Sequence, residues 1–122
     1  EKAWGGEIFV PKIPSYKISD VAKAIAPNLE QKIVGIRPGE KLHEEMITSS
    51  DSYNTVDLGK YYAILPQKSP YSKYTIEDYI KSFKAKLVEK GFSYNSKDNN
   101  NWETVESLRV LVKEHVDANF EL

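Results

Sequence analysis

Apolar positions along this chain switch between a spacing near two and a spacing near 3.6, which divides it into short strands and amphipathic helices. Glu7 to Val10 is a short apolar run entered through Gly5-Gly6 and stopped by Pro11 and Pro14, which predicts a strand. Ile18, Val21, Ala22 and Ile25 then fall at helical spacing, and Pro27 with Asn28 closes that segment. A second strand is predicted from Gln31 to Arg37. Its centre, Lys32-Ile33-Val34-Gly35-Ile36, is apolar on both faces, as a strand covered by helices would be. After a Pro-Gly turn, Glu40 to Ile47 predicts about two turns of helix.

Thr48 to Gly59 is rich in Ser, Asp and Asn and reads as a loop, followed by an aromatic strand from Lys60 to Leu65 that Pro66 ends. Beyond a second loop containing Pro70, Ile76, Tyr79, Ile80, Phe83 and Leu87 line one face of a helix expected from Thr75 to Lys90. Thr75 suits its N-cap and Gly91 the position just past its end. Phe92 to Trp102 is a turn-rich loop with aromatic ends. A last helix is expected from Thr104 to His115, with Val105, Leu108, Leu111 and Val112 as its apolar face. No internal repeat is visible. The element order is mixed α/β, with about four helices and only three short strands, which is thin for an independent sheet. The chain therefore reads as the end of something larger.

Bulk properties narrow the function classes. At 122 residues, one compact unit with a real core is expected. Seventeen basic against eighteen acidic residues, with no long block of one sign, argue against a general electrostatic grip on nucleic acid or on an anionic membrane. With no cysteine, disulfides and thiolate metal sites are excluded, and the composition fits a reducing, cytoplasmic setting. No apolar run approaches the roughly 20 residues of a membrane helix.

The candidate chemistry lies in Gly35-Ile36-Arg37-Pro38-Gly39-Glu40-Lys41-Leu42-His43-Glu44-Glu45-Met46. Arg37, at a strand end, offers a planar fork of donors suited to a pyrophosphate. Glu40, three residues on, suits the two vicinal hydroxyls of a ribose. Pro38 fixes its own φ and Gly39 accepts a positive one, so the turn holds the two side chains at a set separation. The same turn also reads as a solvated strand-to-helix connection, with Glu40 favoured near a helix N-terminus. Lys12 leaves a strand end, where open α/β sheets gather ligands, and reads equally well as a solvated loop lysine. His43 beside Glu44-Glu45 lacks the second ligand four residues away that helical zinc sites use, and His115 near a helix end reads as structural. The stripe Tyr79, Phe83 and Leu87 reads as core or as a docking face.

Three stretches together resemble the C-terminal part of inverting UDP-N-acetylglucosamine 4,6-dehydratases, within the extended short-chain dehydrogenase/reductase superfamily. They are Gly6-Glu7-Ile8-Phe9-Val10-Pro11-Lys12-Ile13-Pro14-Ser15, then Gly35 to Met46, then Phe92-Ser93-Tyr94-Asn95-Ser96 with Asn101-Trp102. The resemblance is weak from Gln67 to Gly91. It implies that residues 1–122 are a UDP-sugar-binding lobe, with 66–91 a variable insertion and 92–122 a loop and C-terminal helix. Such enzymes pair this lobe with an N-terminal Rossmann domain that holds NADP and the catalytic residues. The chain has no Gly-x-Gly-x-x-Gly fingerprint, and none of its eight tyrosines has a lysine four residues on. Catalytic residues, cofactor contacts and metal ligands are accordingly not expected on it.

By the resemblance, Arg37 contacts the UDP pyrophosphate, Glu40 the uridine ribose, and Lys12 lies near the nucleotide. The implied reaction of the parent is loss of water from a UDP-sugar to give a 4-keto-6-deoxy product inverted at C5, serving pseudaminic acid synthesis and flagellin glycosylation. The implied partners are the UDP-sugar, the Rossmann domain and a homo-oligomer. Two rivals remain: the equivalent lobe of a UDP-sugar 4-epimerase or retaining dehydratase, and a non-catalytic interaction module docking through the 75–90 helix.

Overall fold

A computed structural model describes residues 3–67 and 75–121 and shows a mixed α/β architecture. Among the described residues the elements are β1 (Ile8–Pro11), α1 (Ile18–Ile25), β2 (Glu45–Ile47), a single 3-10 turn (Asp51–Asn54), β3 (Thr55–Asp57), β4 (Tyr61–Ile64), α2 (Ile76–Phe83), β5 (Lys86–Leu87), β6 (Tyr94–Asn95) and α3 (Val105–His115). Contrary to the single unit expected from length, these residues form two compact units. One comprises residues 1–13 and 44–95, the other residues 14–43 and 96–122.

The first unit is built on an antiparallel sheet in the order β1-β4-β3-β5. Register places Val10 opposite Tyr62, and Val56 opposite both Ala63 and Leu87. Val56, Ala63, Leu65, Tyr79 and Ala85 form its buried core, with Leu58, Ile76, Ile80 and Phe83 packed against them. Helix α2 delivers Tyr79, which is almost fully buried, into this core. Its ring meets Trp4 edge-on at 5.1 Å and Phe83 at 4.6 Å. These are attractive aromatic geometries that add to the burial. Tyr79 and Phe83 of the stripe are therefore core, whereas Leu87 lies outside α2 and is 50% exposed.

Trp4 is held there by a local anchor. Its backbone N–H and that of Gly5 donate to the two carboxylate oxygens of Glu7 at 2.6 and 2.7 Å. Partial burial works against ionisation of Glu7, but these amide bonds outweigh it and keep its carboxyl below the usual range. Strands β2 and β6 pair separately, with an irregularity at Met46. The Tyr94 hydroxyl accepts from the Ile13 N–H and donates to the Ile13 carbonyl, both at 2.8 Å. One side chain thus satisfies both backbone groups of a residue between two prolines.

In the second unit α1 packs on α3. Ala24 and Leu108 are the buried side chains of the two helices. The Arg109 guanidinium reaches the carbonyls of Ala24 and Lys23, at 3.4 and 3.5 Å, where a cation meets the negative end of α1. Thr104 caps α3 with a reciprocal box: its hydroxyl accepts from the Ser107 N–H, and the Ser107 hydroxyl accepts from the Thr104 N–H. Ser15 bridges to Trp102 through its N–H to the Asn101 carbonyl and its carbonyl to the Glu103 N–H, each at 2.8 Å.

Several expectations are corrected. Residues 31–37 belong to no strand among the described residues: Gly35 takes φ +89°, which interrupts the run, and Ile33 and Val34 are 94% and 85% exposed. The helix expected over Glu40 to Ile47 is absent. Its last three residues form β2, whose pairing with β6 supplies long-range hydrogen bonds that local propensity does not register. The polar stretch after Thr48 hides β3, a central strand whose Thr55 and Val56 are fully buried. Helix α2 starts at the expected Thr75 cap but ends at Phe83, because Lys84 takes a left-handed conformation, φ 53°. Residues Lys86 and Leu87 then join the sheet. Gly91 is accordingly not a helix terminator; its N–H donates to the Ser52 hydroxyl at 2.9 Å. The loop containing Pro70 lies outside the described residues.

Candidate functional site

The Arg-Pro-Gly-Glu turn belongs to the second unit and has the geometry its residues dictate. Gly39 sits at φ +86°, a conformation that favours glycine, and the Glu40 N–H closes the turn on the Arg37 carbonyl at 3.1 Å. Proline at the second position and positive φ at the third mark a type II turn.

The two side chains singled out in the sequence are in direct contact. Glu40 accepts from the Arg37 backbone N–H at 2.8 Å with one carboxylate oxygen and from the Arg37 Nε at 2.7 Å with the other. The carboxylate therefore staples both ends of the turn and orients the guanidinium. The Arg37 side chain is 85% exposed and Glu40 41%. A guanidinium has five N–H donors, and Nε supplies only one, so the four on its terminal nitrogens face outward for an anion. A carboxylate has about four lone-pair sites, which leaves acceptors for hydroxyl groups. The turn thus displays an exposed guanidinium fork and a carboxylate acceptor side by side on a pre-organised backbone.

Lys12 belongs to the first unit and is placed differently. Its ammonium donates to both oxygens of Asp57 at 2.8 Å and lies 4.5 Å over the Tyr62 ring. Partial burial disfavours its charge, but Asp57 and Tyr62 outweigh that effect and raise its pKa above the ordinary lysine value. The Gly59 N–H also donates to Asp57 at 2.7 Å. Lys12 thus ties the end of β1 to β3 across β4. Sequence reasoning missed Asp57 because it lies in the stretch read as a loop. The alternation Thr55-Val56-Asp57 is the signal, too short to stand out.

The two histidines have different surroundings. His43 Nδ1 lies 3.5 Å from the Ser96 hydroxyl, and His115 is 3.8 Å from Glu114. Among the described residues no group of three or more His, Cys, Asp and Glu is arranged to hold a metal ion, and no helix is long and apolar enough to cross a membrane.

Comparisons with known proteins agree with the sequence resemblance. Over 117 residues, 92% of the chain, the sequence is 48% identical to an inverting UDP-N-acetylglucosamine 4,6-dehydratase of Campylobacter jejuni. That alignment covers 34% of the relative. A UDP-glucose 4-epimerase of Rickettsia bellii is 37% identical over 112 residues, 87% of this chain and 32% of its own length. Among solved structures, Pen from Bacillus thuringiensis matches 92% of this chain with a TM-score of 0.66 and 27% identity, covering 32% of that protein. The chain spans about a third of the length of the curated relatives it matches. Residues 1–66 match the family described as polysaccharide biosynthesis protein, and the chain belongs to that family.

Proposed function

We propose that this chain is the UDP-sugar-binding lobe of an NADP-dependent UDP-N-acetylglucosamine 4,6-dehydratase that inverts C5. The observation that carries the reading is the 48% identity to such an enzyme across 92% of the chain, a span that includes the stapled Arg37–Glu40 turn. In this reading residues 1–122 form one lobe of a cytoplasmic enzyme, with 66–91 a variable insertion. Its product feeds pseudaminic acid or other surface-glycan synthesis, including flagellin glycosylation, and the enzyme works as a homo-oligomer.

Arg37 grips the pyrophosphate through its outward terminal nitrogens, a charge-assisted contact. Glu40 accepts from the ribose hydroxyls while still holding Arg37 Nε. The nucleotide is fixed far from the reacting hexose, so its binding energy sets the position of C4, C5 and C6, where an error near one ångström costs on the order of a hundredfold in rate. With its ammonium engaged by Asp57 and Tyr62, Lys12 reaches a nucleotide only by exchanging one of those partners. NADP finds neither a Gly-rich fingerprint nor a Tyr-x-x-x-Lys pair in these 122 residues. The groups that hold it belong to the Rossmann domain of the proposed parent.

The test is a chimera in which this chain replaces the matching third of the C. jejuni dehydratase. Conversion of UDP-N-acetylglucosamine to a 4-keto-6-deoxy sugar inverted at C5, read by NMR coupling constants, supports the proposal. The identity to UDP-glucose 4-epimerases favours a second reading, in which the same lobe serves a 4-epimerase. The chimera distinguishes them only for substrate fit, so the full-length natural protein must also be assayed: a 4-epimer with retained C6 oxygen establishes the second reading.

A further inference from the structure

Lys12 sits where the chain leaves β1, and its backbone is gripped from both sides. Before it, β1 is paired along β4, and the Lys12 N–H itself donates to the Lys60 carbonyl at 3.2 Å. After it, Ile13 is held by the Tyr94 hydroxyl, which accepts from its N–H and donates to its carbonyl, both at 2.8 Å. One oxygen thereby does what the two backbone groups of a partner-strand residue do in a ladder. Tyr94 is itself fixed, because its backbone in β6 pairs with β2 opposite the fully buried Ile47. Its ring lies 5.3 Å from that of Tyr62, and the Tyr62 ring lies 4.5 Å from the Lys12 ammonium. Phe92 adds a second ring contact to Tyr62, at 5.1 Å. Tyr94 therefore touches both the backbone that follows Lys12 and the ring beneath its ammonium.

We propose that Tyr94 is a positioning residue for Lys12: its hydroxyl fixes the chain just after the lysine and its ring fixes Tyr62, so that the ammonium rests on Asp57 and reaches a ligand anion only by rotation of its own side chain. The ligand part rests on the proposed function, in which that anion belongs to the nucleotide. With the backbone held on both sides, exchange from Asp57 to a ligand orders no main chain, which lowers the cost of binding. A purely structural tyrosine would secure the end of β1 and leave the Lys12 ammonium indifferent to its hydroxyl.

Lysine-selective NMR of the ammonium groups in this chain and in its Tyr94→Phe variant separates the two roles, with thermal unfolding of both. Phenylalanine keeps the ring beside Tyr62 and removes only the hydroxyl. The expected result is exchange of the Lys12 ammonium protons with water that is faster by roughly two- to fivefold, the factor an exposed ion pair can hold back, with the other lysines unmoved. Asp57→Asn gives the released value for comparison. If the phenylalanine variant does not fold, a ring-fluorinated tyrosine at position 94 replaces it. Its hydroxyl ionises near neutrality and stops donating to the Ile13 carbonyl, so Lys12 exchange should rise above that of the parent across the ionisation.

Unchanged Lys12 exchange overturns the proposal, whatever happens to the melting temperature. None of these readings uses UDP, so the two proposals fail separately. Faster exchange, with a UDP affinity in the C. jejuni chimera that neither Tyr94→Phe nor Lys12→Met alters, removes Lys12 from the nucleotide site and leaves Tyr94 positioning it. Unchanged exchange with a UDP affinity that Lys12→Met lowers does the reverse.

Discussion

Replacing Arg37 by alanine separates a ligand-binding role from a scaffold role. The arginine side chain is 85% exposed and its ion-pair partner 41%, and exposed pairs contribute only about 0.2–1 kcal/mol to stability. The backbone staple from the residue 37 N–H to Glu40 and the closing bond from the Glu40 N–H do not involve the guanidinium, so the turn persists in the variant. Folding stability should therefore fall by less than about 1 kcal/mol. A pyrophosphate contact, by contrast, is a hydrogen bond between charged groups, for which removal costs about 1.5–3 kcal/mol. That corresponds to a Kd for UDP raised roughly 10- to 150-fold. Isothermal titration of UDP into the chimera and its Arg37→Ala variant, with thermal unfolding of both, measures the two quantities. A Kd within about twofold of the parent, accompanied by a stability loss above about 1 kcal/mol, would refute the assignment and make Arg37 a structural residue.

Other consequences follow from the same contacts. Glu40→Gln keeps one acceptor oxygen and should weaken UDP binding less than Arg37→Ala does, in the same calorimetric titration; equal affinity of the parent for UDP and 2′,3′-dideoxy-UDP would count against Glu40 as the ribose acceptor. Lys12→Met should lower folding stability by at most about 1 kcal/mol through loss of the Asp57 pair, and any additional loss of UDP affinity would show that Lys12 leaves Asp57 for the nucleotide. Tyr79→Ala removes a nearly fully buried ring packed on Trp4 and Phe83 and should cost about 3–5 kcal/mol in chemical denaturation. Bonds from the Thr48 hydroxyl and N–H hold Asp51 below the ordinary carboxylate pKa, and bonds from the Thr75 N–H and hydroxyl do the same for Asp78. Because both folded-state values are depressed, their stabilisation is complete above the ordinary Asp value of about 3.9 and is lost as pH falls through the folded values. Asp78→Asn should flatten that acid limb in pH-dependent melting curves.

Where an element is decided by its own residues, the sequence was sufficient to see it. Helix α1 has the bounds its periodicity predicts, α2 begins at its expected Thr75 cap, and α3, Val105–His115, fills the span expected from Thr104 to His115. Helix ends and short strands were harder because their causes lie elsewhere. Leu87 continues the helical period of α2, but its backbone pairs with Val56, and Lys84 breaks the helix to allow it. Thr55-Val56-Asp57 is unremarkable as sequence and becomes central only because β4 and β5 flank it. The apolar run at 32–36 predicts a covered strand, but among the described residues it joins no sheet and Gly35 sits at φ +89°. At the candidate site, spacing marks Arg37, Glu40 and a Pro-Gly turn between them, while the turn type and the mutual staple of Arg37 and Glu40 required the structure. Lys12 was visible as a strand-end cation, and its commitment to Asp57 was not, because β3 itself was hidden.

The central claim is that the Arg37–Glu40 turn is a nucleotide-diphosphate site, and a two-dimensional amide NMR titration of this chain with UDP tests it most directly. The account predicts a dispersed spectrum in which shifts concentrate on the amides of residues 36–41, led by Arg37 and Glu40. A dispersed spectrum with no movement of those amides at millimolar UDP would contradict it.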